Sequence, residues 1–297
     1  MPSQPLKTAR NLLLRLAPSL LFWREYTRKA RAAGISKLYI ILSYDCDTPD
    51  DAAAGVQLFD WLATRGIPAT FAVPGMPLNE SQKEYRAIHR QGAAFINHGG
   101  APHTEFRGDR YHSVTFYERM APEKVAADIR LGHQIFETVL GEAPVGFRAP
   151  HFGHYQRPEQ LRLIYDTLSE MGGYRFSSTT TAAFAQLYGP LVAADALVEI
   201  PIIGSYHWPL RIFDSWGHVV DRVSRTVTDA YAQGLLQTVD QLIRRQIPTV
   251  LNYYADPSQV IGNPAYFGAL ERAQELGAQF ISYAQLLEIA RPRERLA

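Results

Sequence analysis

Cysteine is all but absent. Cys46 is the only one in 297 residues, so no internal disulfide can form. That is compatible with a reducing compartment without requiring one. A surplus of either charge is missing too. The formal net charge is +1, and with no basic excess to neutralise phosphates the sequence argues against nucleic acid as a main partner. No stretch reaches the ~18 consecutive apolar residues of a membrane span. The glycine-rich first βα turn of a dinucleotide fold, the phosphate-binding P-loop and the Gly-x-Ser-x-Gly elbow are all absent, which counts against a nucleotide cofactor and a serine hydrolase. A cysteine nucleophile is disfavoured as well, because Cys46 lies between Asp45 and Asp47 and two acids oppose a thiolate.

What is present is apolar material. At 46% apolar residues the chain has ample core for one large α/β domain or two small ones. Near the N-terminus Lys7 and Arg10 precede a leucine-rich stretch, residues 12–23. Arg15 and Pro18 interrupt it, and Arg24, Glu25, Arg28 and Lys29 follow, unlike a secretory signal with its unbroken apolar centre. The stretch reads as a basic amphipathic helix packed on the domain. Peripheral contact with a membrane surface through residues 5–30 is the sharper alternative. The division expected is an N-terminal helical extension over residues 1–35 and one catalytic domain over residues 36–297.

Within that domain, apolar β-favouring runs alternate with helical periodicity. Strands are expected at residues 37–44, 68–74, 93–96, 145–150, 174–177, 197–201, 248–253 and 279–282. Helices are expected at 51–65, 80–91, 122–140, 158–171, 224–245, 264–276 and 283–290. Residues 101–120 read as a long loop. The alternation predicts a parallel sheet, either a closed barrel or an open doubly wound one. Asp45, Asp47, His98, Arg148 and Asp256 all fall just after predicted strands, where catalytic groups gather in a βα barrel.

The chemistry starts with four acids in seven residues, Asp45-Cys46-Asp47-Thr48-Pro49-Asp50-Asp51. Asp50 or Asp51 caps the next helix. Asp45 and Asp47 remain, two apart and so on one side of a continuing strand, which suits a metal ligand beside a general base. His98 and His103 follow the third predicted strand in a turn rich in glycine and proline. With Asp47 they form a two-histidine, one-carboxylate set for one divalent metal ion. Zinc fits that set first; cobalt, nickel and manganese accept similar ligands.

These residues resemble the polysaccharide deacetylase family (the NodB homology domain, carbohydrate esterase family 4) over roughly residues 36–290. Asp45-Cys46-Asp47 is similar to its first motif, His98 to His103 to its second and Arg148-Ala149-Pro150 to its third. Asp214-Ser215-Trp216 stands weakly for a fourth. The resemblance implies a distorted (β/α)7 barrel carrying Asp45 as base, Asp47, His98 and His103 as metal ligands, and Arg148 orienting Asp45. There are two departures. The histidines are five apart, where the family usually has four, and the last strand delivers Asp256 where the family delivers a histidine that acts as general acid. Asp256, holding a proton, could fill that role, and so could His151 or His154, with His151 preferred.

The resemblance therefore implies a metal-dependent hydrolase that removes an N-acyl group, acetyl or formyl, from an amino sugar or glycan intermediate. The expected setting is cytoplasmic, with a precursor at the inner membrane surface as substrate. Hydrolysis of a small non-sugar amide, imide or formamide is the alternative on the same fold. An inactive glycan-binding protein is a third reading, prompted by the lost histidine. Tyr111, Tyr117, Phe152, Tyr206, Trp208 and Trp216, in predicted loops, are candidates for sugar stacking or for loop cores.

Overall fold

The computed structural model describes residues 18–221 and 223–292. In chain order the elements are α1 (Pro18–Ala32), β1 (Leu38–Asp45), α2 (Pro49–Ala63), β2 (Ala69–Val73), α3 (Gly75–Glu80), α4 (Gln82–Arg90) and β3 (Ala94–Asn97). A hairpin of β4 (Thr104–Arg107) and β5 (Arg110–Ser113) precedes α5 (Pro122–Leu140), β6 (Gly146–Phe147), α6 (Pro158–Met171) and β7 (Phe176–Ser177). Then come α7 (Ala182–Tyr188), β8 (Val192–Ala194), β9 (Leu197–Glu199), α8 (Asp229–Arg244) and β10 (Thr249–Ala255). The short α9 (Pro257–Val260), α10 (Pro264–Glu275), β11 (Gln279–Phe280) and α11 (Tyr283–Ile289) close the order.

β1 is buried along its whole length, so its sequence runs apolar without the alternation of a half-exposed strand. Its side chains still divide by parity. Leu38, Ile40, Leu42 and Tyr44 join one core, and Tyr39 and Ile41 another on the opposite face. The sheet order is β10-β1-β2-β3-β6-β7-β9-β8, with β11 also pairing with β1. Every pairing in it is parallel except β8 with β9. The sheet curls into a half-barrel. Across the remaining gap Ile203 N–H donates to the Asn252 carbonyl at 3.2 Å, and Asn252 Nδ2 donates to the carbonyls of Ile200 (3.0 Å) and Pro201 (3.2 Å). A side-chain amide thus bridges where a ladder is interrupted, which keeps buried carbonyls satisfied.

Several expectations change in detail. Residues 101–120 are not all loop: β4 and β5 pair antiparallel across Gly108, whose φ of +67° lets the chain reverse tightly. The helix expected at 80–91 is α4, and the short α3 that precedes it across Ser81 has no counterpart among the expected helices. The helix expected from residue 224 begins at Asp229, because Val219 and Val227 form an isolated antiparallel bridge. β8 has no counterpart among the expected strands: its three residues are too few to set a period.

Of the stretch expected to be helical at the N-terminus, residues 1–17 lie outside the described residues, as does part of the expected membrane-contact segment. α1 itself buries Phe22, Trp23, Tyr26 and Ala30 against the domain. Trp23 Nε1 donates to the Tyr206 carbonyl at 2.8 Å and the two rings stack 5.8 Å apart; Tyr26 OH donates to the Val250 carbonyl at 3.0 Å. No helix among the described residues is long and apolar enough to cross a membrane.

Candidate metal centre

β1 ends at Asp45, and its parallel neighbours β2 and β10 end level with it. Buried on all sides, Asp45 meets one cation. Arg148, just beyond β6, donates from Nη1 to Asp45 Oδ1 at 2.5 Å. The guanidinium is wholly buried and is spent almost completely. Nη2 donates to Ser43 Oγ (2.8 Å) and Tyr283 OH (2.9 Å), and Nε to the Ser178 carbonyl (3.3 Å). Fixing four of its five N–H groups in this way aims the guanidinium at one carboxylate oxygen. Burial pushes the Asp45 carboxyl up to about 6, with the Arg148 charge opposing and Asp47 adding to the rise.

Asp47, two residues on, behaves in the opposite way. Burial would raise it, but the imidazoles of His103 and His98 outweigh burial and hold it below the ordinary carboxylate range. His103 Nδ1 lies 3.1 Å from Asp47 Oδ1, and His98 Nε2 lies 3.9 Å from the same oxygen and 3.7 Å from Asp45 Oδ2. His98 Nδ1 sits 2.8 Å from the Arg148 carbonyl, which fixes the ring and leaves Nε2 facing the acids. Burial, then the neighbouring His103, press the His98 pKa well below its usual value, so the ring is neutral and can act as a ligand.

Asp47, His98 and His103 each offer a ligand atom within 4.8 Å of the others. His103 Nε2 is buried with no hydrogen-bond partner, an orphan that native interiors seldom tolerate without an ion, water or ligand nearby. The donor set, a carboxylate with two imidazoles, suits a divalent cation.

The five-residue histidine spacing is absorbed in a turn built by a helix. Gly99 has φ +86°, and its N–H donates to Asn97 Oδ1 at 2.9 Å. Asp128, from α5, accepts from Gly100 N–H (3.1 Å), Ala101 N–H (2.8 Å) and Tyr117 OH (2.7 Å). α5 comes this close because Gly132 faces the turn; a Cβ there would overlap Asn97 Oδ1 and the Gly99 carbonyl.

The late acid has different company. Asp256 is fully buried, accepting from Arg225 Nη2 at 3.2 Å and Gln259 Nε2 at 3.0 Å, with Oδ1 unpartnered. Burial first, then Asp51 and Asp47, raise its pKa well above the usual value against the pull of Arg225. Arg225 also reaches Thr48 Oγ1 (3.1 Å) and lies 3.7 Å from Asp51, between the rings of Trp216 and Tyr111. Thr48 is the N-cap of α2, and Asp51 completes its capping box from the first turn.

His151 takes φ +58° and its Nε2 sits 2.6 Å from the Val114 carbonyl. Its ring lies 5.7 Å from that of His103 and stacks on Phe116 at 4.3 Å. Burial, then His103, lower its pKa. His154 pairs instead with Glu118 at 2.7 Å. Asp214 accepts from Tyr254 OH at 2.7 Å, and Ser215 Oγ accepts from Asp256 N–H at 3.0 Å, so the weak fourth motif braces the end of β10. Among the loop aromatics Tyr117 and Tyr206 are core, whereas Trp208 is exposed.

The sequence profile of the polysaccharide deacetylase family matches residues 35–162, the segment carrying Asp45, Asp47, His98, His103 and Arg148. Over that stretch the chain is similar to the polysaccharide deacetylase family. Deacetylase-type folds recur among solved structures. A protein assigned as a polysaccharide deacetylase from Mycobacterium smegmatis superimposes with a TM-score of 0.66 at 18% identity, over 89% of this chain and 95% of that one. A counterpart from Pseudomonas aeruginosa PAO1 gives 0.60 at 16% identity, over 88% and 93%. An allantoinase gives 0.59 at 14% identity, over 88% and 92%. At these identities the likeness is one of fold. No curated protein matches this chain in sequence.

Four participants escaped the sequence reading: Ser43, Tyr283, Asp128 and Arg225. Asp128 had a signal, an acid on the buried stripe of α5 between Val125 and Ile129, and Ser43 had one, a lone hydroxyl in an apolar strand. Tyr283 and Arg225 come from distant parts of the chain and had none.

Proposed function

We propose that the protein is a metal-dependent hydrolase that removes an N-acyl group, acetyl or formyl, from an amino sugar or glycan intermediate. The observation that carries this reading is the convergence of Asp47, His98 and His103 within 4.8 Å, with Arg148-braced Asp45 beside them. Asp47 and the two histidines would hold the ion, zinc first among the candidates and cobalt, nickel or manganese next. When bound there, a divalent cation supplies Lewis acidity toward the acyl carbonyl and toward water. Asp45 is the base that takes the proton of the attacking water, and Arg148 holds its carboxylate ionised and oriented. The leaving amine needs a proton before the C–N bond breaks. Asp256 is committed to Arg225 and Gln259, whereas His151 stands beside His103, so His151 is the donor in this reading and Asp256 a support. Residues 36–297 form the catalytic unit.

A second substrate reading is favoured by one observation. The side chains of His98 and His103 are 2% and 0% exposed and that of Asp47 12%, so the ligands are recessed. A small amide, imide or formamide reaches recessed ligands more easily than a polymer.

Metal content is the test. Purified protein should carry near-stoichiometric divalent metal, and His98→Ala should lose it. With the metal established, release of acetate or formate from N-acyl sugars and from small amides separates the two substrates. No metal in either protein, even after incubation with zinc, would overturn the hydrolase and leave a glycan-binding protein.

A further inference from the structure

The first 31 residues hold seven cations and one acid, Glu25, in a chain whose formal net charge is only +1. In the described part of that segment the charge collects on one face. Arg24, Arg28 and Arg31 fall four and three apart on α1, hence side by side, and all are exposed. With Arg245, just past α8, they line a groove of about 530 Å³ floored by Trp23, Tyr206 and Ile247. No acid lines it among the described residues. Arg28 pairs with Glu25 at 3.0 Å and Arg245 lies over the Tyr206 ring, but Arg24 and Arg31 have no ion pair among the described residues. Like charges at these spacings oppose the helix, so an anion laid across them would relieve it.

The chemistry of the surroundings selects the anion. Leu20, one turn before Arg24 on the same face, is 55% exposed. Trp23 and Tyr206 are 2% and 4% exposed, so neither ring is free to stack on a nucleobase. An exposed leucine among arginines on a helix is the pattern of a helix lying in a lipid interface, where apolar insertion and basic charge act together. The groove is also placed away from the metal ligands. Ile247 precedes β10 and Asp256 follows it, at opposite ends of a strand about 20 Å long at ~3.3 Å per residue.

We propose that this face of α1, with Arg245, docks on an anionic membrane surface. The guanidinium groups sit on lipid phosphates, Leu20 enters the acyl boundary, and the ends of the strands that carry the acids face water.

The test is co-sedimentation of the full chain with vesicles of phosphatidylcholine alone and of phosphatidylcholine mixed with phosphatidylglycerol. The protein should follow the mixed vesicles, leave the neutral ones and be released near 1 M salt, where the screening length falls to about 3 Å. Arg24→Gln with Arg31→Gln should weaken partitioning roughly 25-fold, about fivefold per arginine. Both side chains are exposed and have no ion pair among the described residues, so an unchanged circular dichroism spectrum is expected of the double variant. Leu20→Ser should lower partitioning while keeping the salt dependence. The proposal is overturned by absence of co-sedimentation, by equal binding to neutral vesicles, or by binding that the double substitution leaves unchanged. It is also overturned if inorganic phosphate or duplex DNA binds the arginines while vesicles do not.

Discussion

Asp45 and Asp47 stand two residues apart and differ in the sign of their perturbation. Burial acts on both, but Asp45 has one buried guanidinium and a neighbouring acid, whereas Asp47 has two imidazoles. The first keeps a carboxyl near the pH at which it can accept a proton; the second keeps an anion that can hold a cation. Asp45→Asn should therefore lower kcat/KM by about 10²–10⁴-fold and leave metal stoichiometry intact, while Asp47→Asn should lose metal. Parallel activity assays and elemental analysis distinguish the two. Asp256 yields a stability prediction. Its folded pKa is raised above the ordinary 3.8, so its contribution is fully present below that value and is lost as pH rises toward the folded pKa. In chelator, wild type should lose stability more steeply than Asp256→Asn as pH rises above the ordinary carboxylate range, because the amide carries no proton to lose. Urea midpoints across that rise in pH measure it, and parallel curves would refute it.

At the scale of the element, the turn between β3 and the β4–β5 hairpin is made by α5. Asp128 offers acceptors to two backbone amides and one phenol of that turn. Asp128→Ala should cost about 3–5 kcal/mol, because buried donors lose a charged acceptor. It should also weaken metal binding by displacing His103, and chemical denaturation with metal titration reads both effects. The strands and helices themselves were legible where their period was long. β1, α5 and α6 follow from an apolar run, a helical stripe and Pro and Gly at the ends. The hairpin at 104–113 was not, since both of its strands are largely exposed and carry no apolar alternation. β8 and the six-residue α3 were too short to register.

At the scale of the whole molecule, the half-barrel brings residues separated by over a hundred positions onto one guanidinium, Asp45 and Tyr283 on Arg148 among them. α1 belongs to the same packing, with Trp23 locked between its helix and Tyr206. Trp23→Ala should destabilise the fold by about 3–5 kcal/mol in a single unfolding transition. A separate early transition would instead mark the N-terminal helix as an appendage. The sequence by itself determined the parallel α/β class, the strand-end placement of the acids and histidines, and the family motifs, because those rest on local period and spacing. Only the tertiary structure decided that His103 keeps a free buried nitrogen, that Arg148 is saturated by Ser43, Ser178 and Tyr283, and that Asp256 turns to Arg225. Local sequence carries backbone preference and the side-chain face. Which distant charge shares a buried site is set by the curl of the sheet, and with it the pKa of every group that site contains.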